Sequence, residues 1–130
     1  LISRHGSGGP WEDVVGYSRV VRAGDWFVTA GCTAIADGEI VGIGDPFAQA
    51  TAAFKAGLDA LARAGCMPQH VVSTRMYITD RAHADEVGRA HSIALDEVRP
   101  AATLIVVAGL IDERLLVEVE LTGYLPRVRS

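Results

Sequence analysis

Hydrophobic and polar positions along the chain follow two different periods, and the places where the period changes delimit the elements. Residues 17–21 and 26–30 are β-prone and flank Ala23-Gly24-Asp25, which predicts an antiparallel hairpin with a longer turn. Asp37-Gly38 predicts a second turn before a short strand over residues 39–43. At Asp45 the period lengthens. Asp45 is an N-cap with Pro46 at the first helical position; Phe47, Ala50, Phe54, Leu58 and Leu61 recur at helical spacing; Gly65 supplies a left-handed stop. A helix over residues 46–64 follows. Residues 71–78 are β-branched and alternating, hence a strand. Asp80 or a neighbour caps a second helix over 83–98 with Val87, Ala90 or His91, and Ala94 on its core face. Arg99-Pro100 ends it. Residues 101–108 and 115–124 are the two strongest strands, joined through Gly109 and Asp112, while in the Gly-rich first sixteen residues, to which no strand is assigned, Gly6-Ser7-Gly8-Gly9-Pro10 is read as loop.

The order β-β-β-α-β-α-β-β describes an α+β fold, a mixed sheet with two helices packed on one face, as a single domain over residues 1–130. On the last strand Val117, Val119 and Leu121 suit the helix-covered face. Leu116, Glu118, Glu120 and Thr122 then point the other way. A bare face carrying apolar side chains and two carboxylates predicts an obligate homo-oligomer that closes over it.

Composition narrows the function classes. A net charge of −4, with no basic run beyond Arg127 and Arg129, lacks the clustered positive footprint of a nucleic-acid binder. No apolar run approaches the ~18–20 residues of a membrane span, and residues 1–6 contain no apolar leader region, so no membrane partner is expected. Cys32 and Cys66 are read as free buried thiols in a reducing, cytoplasmic setting. His5, His70, His83 and His91 have no metal-ligand spacing, so neither metal nor cofactor is expected.

Seven short pieces occur in one order: Gly16-Tyr17-Ser18-Arg19, Ala30-Gly31, Asp45-Pro46-Phe47-Ala48-Gln49-Ala50, Ala64-Gly65, Tyr77-Ile78-Thr79-Asp80, Arg99-Pro100-Ala101 and Val117-Glu118-Val119-Glu120. Together, over nearly the whole chain, they resemble the RidA/YjgF reactive-intermediate deaminase family. The resemblance implies a fold similar to the Bacillus-type chorismate mutase, a homotrimer, and ligand clefts between subunits. It also implies hydrolysis of enamines or imines such as 2-aminoacrylate. By the same resemblance Tyr17 lines the cleft, Gly31 lets backbone approach a small-molecule ligand, and Glu118 holds or activates the attacking water. Cys32, beside Gly31, is a further candidate lining residue.

The chain departs from the family pattern at Ala102, where active deaminases carry an arginine that grips the substrate carboxylate bidentately. Leu104 stands where the family has a cysteine, and Gly88 where it has an asparagine. Ala102, Leu104 and Val106 are expected to form an apolar wall in place of a cationic clamp. If Val72, Thr74 and Met76 meet the helices, Arg75 shares the face of Glu118 and Glu120, and Arg19 shares that of Tyr17. These arginines either neutralise the glutamates or rebuild an anion grip. A hydrolase with weak or no action on 2-aminoacrylate is the leading expectation, and a non-catalytic small-molecule-binding trimer is the alternative.

Overall fold

Two helices cover one face of a six-stranded mixed sheet and leave the opposite face open in the single chain. The structure is a computed structural model and describes residues 1–127; Arg129, one of the two tail arginines, lies outside the described residues. The chain runs β1 (Ile2–His5), β2 (Val20–Ala23), β3 (Trp26–Thr29), β4 (Ile35–Ala36), β5 (Glu39–Ile40), α1 (Pro46–Arg63), β6 (Val71–Ile78), α2 (Ala84–Leu95), β7 (Ala101–Val106) and β8 (Val117–Tyr124). The main sheet is ordered β1-β2-β3-β8-β6-β7, and β4 and β5 form a separate small hairpin. Only β7 runs parallel to its neighbour, β6; the other pairings of the main sheet are antiparallel.

Local chemistry sets α1 as the sequence predicts. The Asp45 carboxylate accepts from the Ala48 amide at 3.0 Å, and Gly65 follows the helix at φ 100°, where a side chain would be strained. Phe54, Leu61 and Val87 from the helices meet Phe27, Ile78, Val117, Val119 and Leu121 from the sheet in one buried core. Gly57 brings α1 close to β8: a Cβ there would lie 2.8 Å from Leu121 Cδ1. Gln49, fully buried, donates from Nε2 to the Arg114 carbonyl (2.9 Å) and accepts at Oε1 from the Leu116 amide (2.8 Å). It thus serves the chain just ahead of β8 as a substitute strand partner.

Several expectations are corrected. The glycine-rich opening holds β1, which pairs with β2, and one wide π-type turn over Glu12–Gly16. No sequence period marks these pieces, because their order comes from a partner strand and from Glu12. The Glu12 carboxylate accepts from the Ser7 amide and hydroxyl and from the Gly9 amide. Tyr17 precedes β2 rather than lying in it, and β5 stops at Ile40. The second helix is shorter than predicted and buries Leu95, while Ala94 is half-buried. A bulge between Val71 and Ser73 changes the phase of β6, so Val71 is buried and Val72 is exposed. Thr74 and Met76 are buried as predicted, and Thr74 Oγ1 lies 2.9 Å from His91 Nε2. The strong strands are also trimmed, to Val106 on one side and from Val117 on the other.

Candidate functional site

The alternation of β8 is the start of the site. Val117, Val119 and Leu121 are buried under the helices, and Glu118, Glu120 and Thr122 lie half-buried on the open face. In register across from them, β6 sets Tyr77 opposite Glu118 and Arg75 opposite Glu120. The Tyr77 hydroxyl donates to the Glu120 carboxylate in a short hydrogen bond, and this bond raises the proton affinity of the phenol. Tyr77 as a carboxylate partner was missed from sequence. Its only signal was the strand register, which a single chain of letters does not display.

A second piece of backbone closes over Glu118. Cys32 and Val119 exchange two main-chain hydrogen bonds (Cys32 N to Val119 O, 2.8 Å; Val119 N to Cys32 O, 2.9 Å), which seats Gly31 against the Glu118 side chain. A Cβ on Gly31 would fall on the Glu118 carboxylate, 2.7 Å from its Cδ, so a larger residue there would oblige that side chain to move from its present place. Cys32 is buried beneath, and burial pushes its thiol pKa up, which disfavours the thiolate. It is therefore a packed neighbour of the site. Tyr17 stands at the rim, its hydroxyl accepting from Arg19 Nη2 at 3.3 Å, while Arg19 Nη1 donates to the Gly31 carbonyl at 2.5 Å.

Electrostatics favour proton transfer at Glu118. Burial raises its pKa first, the nearby Glu120 charge raises it further, and the Arg19 guanidinium offsets part of both. A carboxyl whose proton affinity is raised by burial and by a neighbouring carboxylate, and which is open to one side, is suited to taking up and returning a proton. The ion pairs among the described residues are Lys55–Asp59, Arg99–Asp96 and Arg114–Asp112, so within one chain neither Arg19 nor Arg75 is in direct ion-pair contact with either glutamate. Arg19 is committed to Gly31 and Tyr17, whereas Arg75 is exposed and without such a partner among the described residues. No cluster of potential metal ligands occurs among the described residues.

Ala102 and Leu104 lie elsewhere. In the parallel pairing they stand opposite Thr74 and Met76, both buried on the helix side, so they share that face and not the face of Glu118. Ala101, Thr103 and Ile105 are the β7 residues on the Glu118 face. The apolar wall of Ala102, Leu104 and Val106 exists at the sheet edge, with Leu104 still 37 % exposed. It cannot border a cavity with Glu118 of the same chain. A groove of about 540 Å³ opens beside Tyr17, Arg4 and Glu12, and another of about 730 Å³ lies between Pro68 and the end of α2; neither borders Glu118.

Comparison with known proteins agrees with this architecture. Residues 11–125 match the family described as Endoribonuclease L-PSP. An uncharacterized protein of Streptomyces coelicolor is 42% identical over 129 residues, covering 99% of this chain and 96% of its own. The crystal structure of a Mycobacterium tuberculosis member of the highly conserved YjgF/YER057c/UK114 family is 38% identical, with a TM-score of 0.87 over 96% of this chain and 100% of that one. A Rid-family protein from Yersinia pestis, 20% identical over 96% of this chain and 100% of that one, shares the fold at a TM-score of 0.83.

Proposed function

The chain belongs to the Endoribonuclease L-PSP family, that of the YjgF and Rid proteins, and on that premise we propose that it hydrolyses a small enamine or imine lacking a carboxylate, in clefts between the subunits of a homotrimer. The observation that carries the reading is the half-buried Glu118 carboxyl, of raised proton affinity, resting on Gly31 at an open sheet face. In the proposed reaction Glu118 takes a proton from water as the oxygen adds to the imine carbon. It passes that proton to the nitrogen to give a carbinolamine, then carries the carbinolamine hydroxyl proton to the same nitrogen as the C–N bond breaks, so the carbonyl product and ammonia form and Glu118 ends as it began. Tyr17 and Gly31 border the reacting carbon, and Arg75 is the uncommitted cation on the same face. Ala102 and Leu104, on the opposite face at the sheet edge, reach the cleft only from a neighbouring copy.

The substrate class follows from what that neighbour brings. Removing one partner of a desolvated charged pair costs about 2–5 kcal/mol, a factor of roughly thirty to several thousand in binding. With alanine and leucine in place of a guanidinium, an imino acid loses its main handle. Cleavage of RNA, which the family description names, does not suit a chain of net charge −4. The internal commitment of Arg19 favours one second reading, a cleft that binds a neutral metabolite without turnover.

Ammonia release from freshly generated imines, measured with and without the protein, tests the proposal. Neutral imines should be hydrolysed faster than in buffer, 2-aminoacrylate at most slowly, and Glu118→Gln should abolish the difference while the oligomer persists. A Glu118→Gln protein that retains the native rate removes Glu118 from the mechanism. Ligand-dependent thermal stabilisation without ammonia release would instead select the binding module.

A further inference from the structure

The Arg19 guanidinium joins the Tyr17 hydroxyl to two residues beside Glu118, Gly31 and Cys32. Nη1 donates to the Gly31 carbonyl at 2.5 Å and lies 3.6 Å from Cys32 Sγ. Nη2 donates to the Tyr17 hydroxyl at 3.3 Å, and Cζ stands 5.5 Å from the Tyr17 ring centroid. Its backbone is fixed on both sides, the amide donating to His5 O (2.9 Å) and the carbonyl accepting from Ala30 N (2.9 Å). Tyr17 is held on one side only, its amide donating to the Glu12 carbonyl (3.0 Å) where the Glu12–Gly16 turn ends and before β2 begins. A planar fork on a fixed backbone can hold two acceptors at once; a lysine ammonium, a compact point charge on a flexible stem, cannot hold them in the same fixed geometry.

We propose that Arg19 is the positioning residue of the Glu118 site, a fork that clamps the Tyr17 hydroxyl to the Gly31 carbonyl and so fixes the wall against which Glu118 rests. The proposal builds on the reading of Glu118 as the proton-transfer group. The titratable and charged groups around that carboxyl are Glu120 on its own strand, Tyr77 in register with it on β6 and Arg75 in register with Glu120, Cys32 beneath, and Arg19 from the segment before β2. Of the two cations, Arg19 is the one whose charge offsets burial and Glu120 at Glu118. With both Nη groups directed at Gly31, Cys32 and Tyr17, Arg19 organises the site and does not grip substrate.

The test is a carbon-13 carboxyl titration of the assembled protein, with Glu118→Gln assigning the resonance, in native, Arg19→Gln and Arg19→Lys forms. Arg19→Gln should move the Glu118 midpoint upward and shift the acidic limb of any imine-hydrolysis pH profile with it. Arg19→Lys should keep the midpoint but lose the clamp, so that a fluorine-labelled Tyr17 gives a broadened resonance in place of a sharp one. An unmoved midpoint in folded Arg19→Gln overturns the proposal. So does an unchanged sharp Tyr17 resonance in Arg19→Lys, which also serves should Arg19→Gln fail to fold. A midpoint that moves in a protein that hydrolyses no imine supports Arg19 and sinks the hydrolase reading, so the two can fail separately.

Discussion

At the scale of single residues, Glu118 sets function against stability. Its pKa is raised in the folded chain, chiefly by burial and then by Glu120. The folded state therefore prefers the protonated form: the associated stability is present below the ordinary carboxyl range and is lost as pH rises through the raised value. Neutral, near-isosteric Glu118→Gln should accordingly unfold at a higher temperature than the native protein at pH 7, with the gain disappearing in acid. Thermal melts across pH 3–8 read this directly, and a native protein more stable than Glu118→Gln at pH 7 would contradict it. Glu12 has the opposite sign. Its bonds to the Ser7 side chain and backbone and to Gly9 lower its pKa, so its support of the opening segment is lost as pH falls through that lowered value.

Among elements, β8 decides where the glutamates point, and Gln49 holds the chain that leads into it. Replacing Gln49 by leucine keeps most of the volume but strands the Leu116 amide and the Arg114 carbonyl. The expected cost is about 1–3 kcal/mol for such an orphaned buried group. A urea titration should show it as a lower midpoint, with amide exchange fastest at Leu116. A Gln49→Leu protein of native stability and native exchange would mean that water or a repacked backbone replaces the amide. The bulge at Val71/Ser73 acts at the same scale, because one extra residue in β6 sets which of its side chains share a face with Glu118.

For the whole molecule, the open face and the β7 edge carry the apolar groups that the proposed neighbouring copies would cover. Trp26 and Tyr124, packed edge to face at 4.8 Å, join Val28 as exposed apolar groups on the side of Glu118, and Leu104, Ile105 and Val106 line the edge strand. Sedimentation at micromolar concentration should give a species of three times 13.8 kDa. A monodisperse protomer would remove the shared cleft. If Ala102 of one copy faces Glu118 of the next, Ala102→Arg restores a guanidinium to that cleft. It should raise 2-aminoacrylate turnover by at least about thirtyfold, the low end of a desolvated charged pair. No gain in a folded trimer would place Ala102 outside the site.

What the sequence determined by itself was local. The cap at Asp45, the stop at Gly65, the span of β6 and the inward run of Val117, Val119 and Leu121 all follow from spacings of two or 3.6 residues and from backbone preferences carried by individual residues. The ordered pieces from Gly16-Tyr17 to Val117-Glu118 were likewise enough to indicate the family. The tertiary structure decided everything that depends on a partner strand: β1, the β6 bulge, the Tyr77–Glu120 bond, and the face on which Ala102 and Leu104 lie. Alternation reports that neighbouring residues point to opposite sides, but not which side is which. That choice is made by pairing between strands distant in the chain, so the separation of Ala102 from Glu118 became visible only in the assembled sheet.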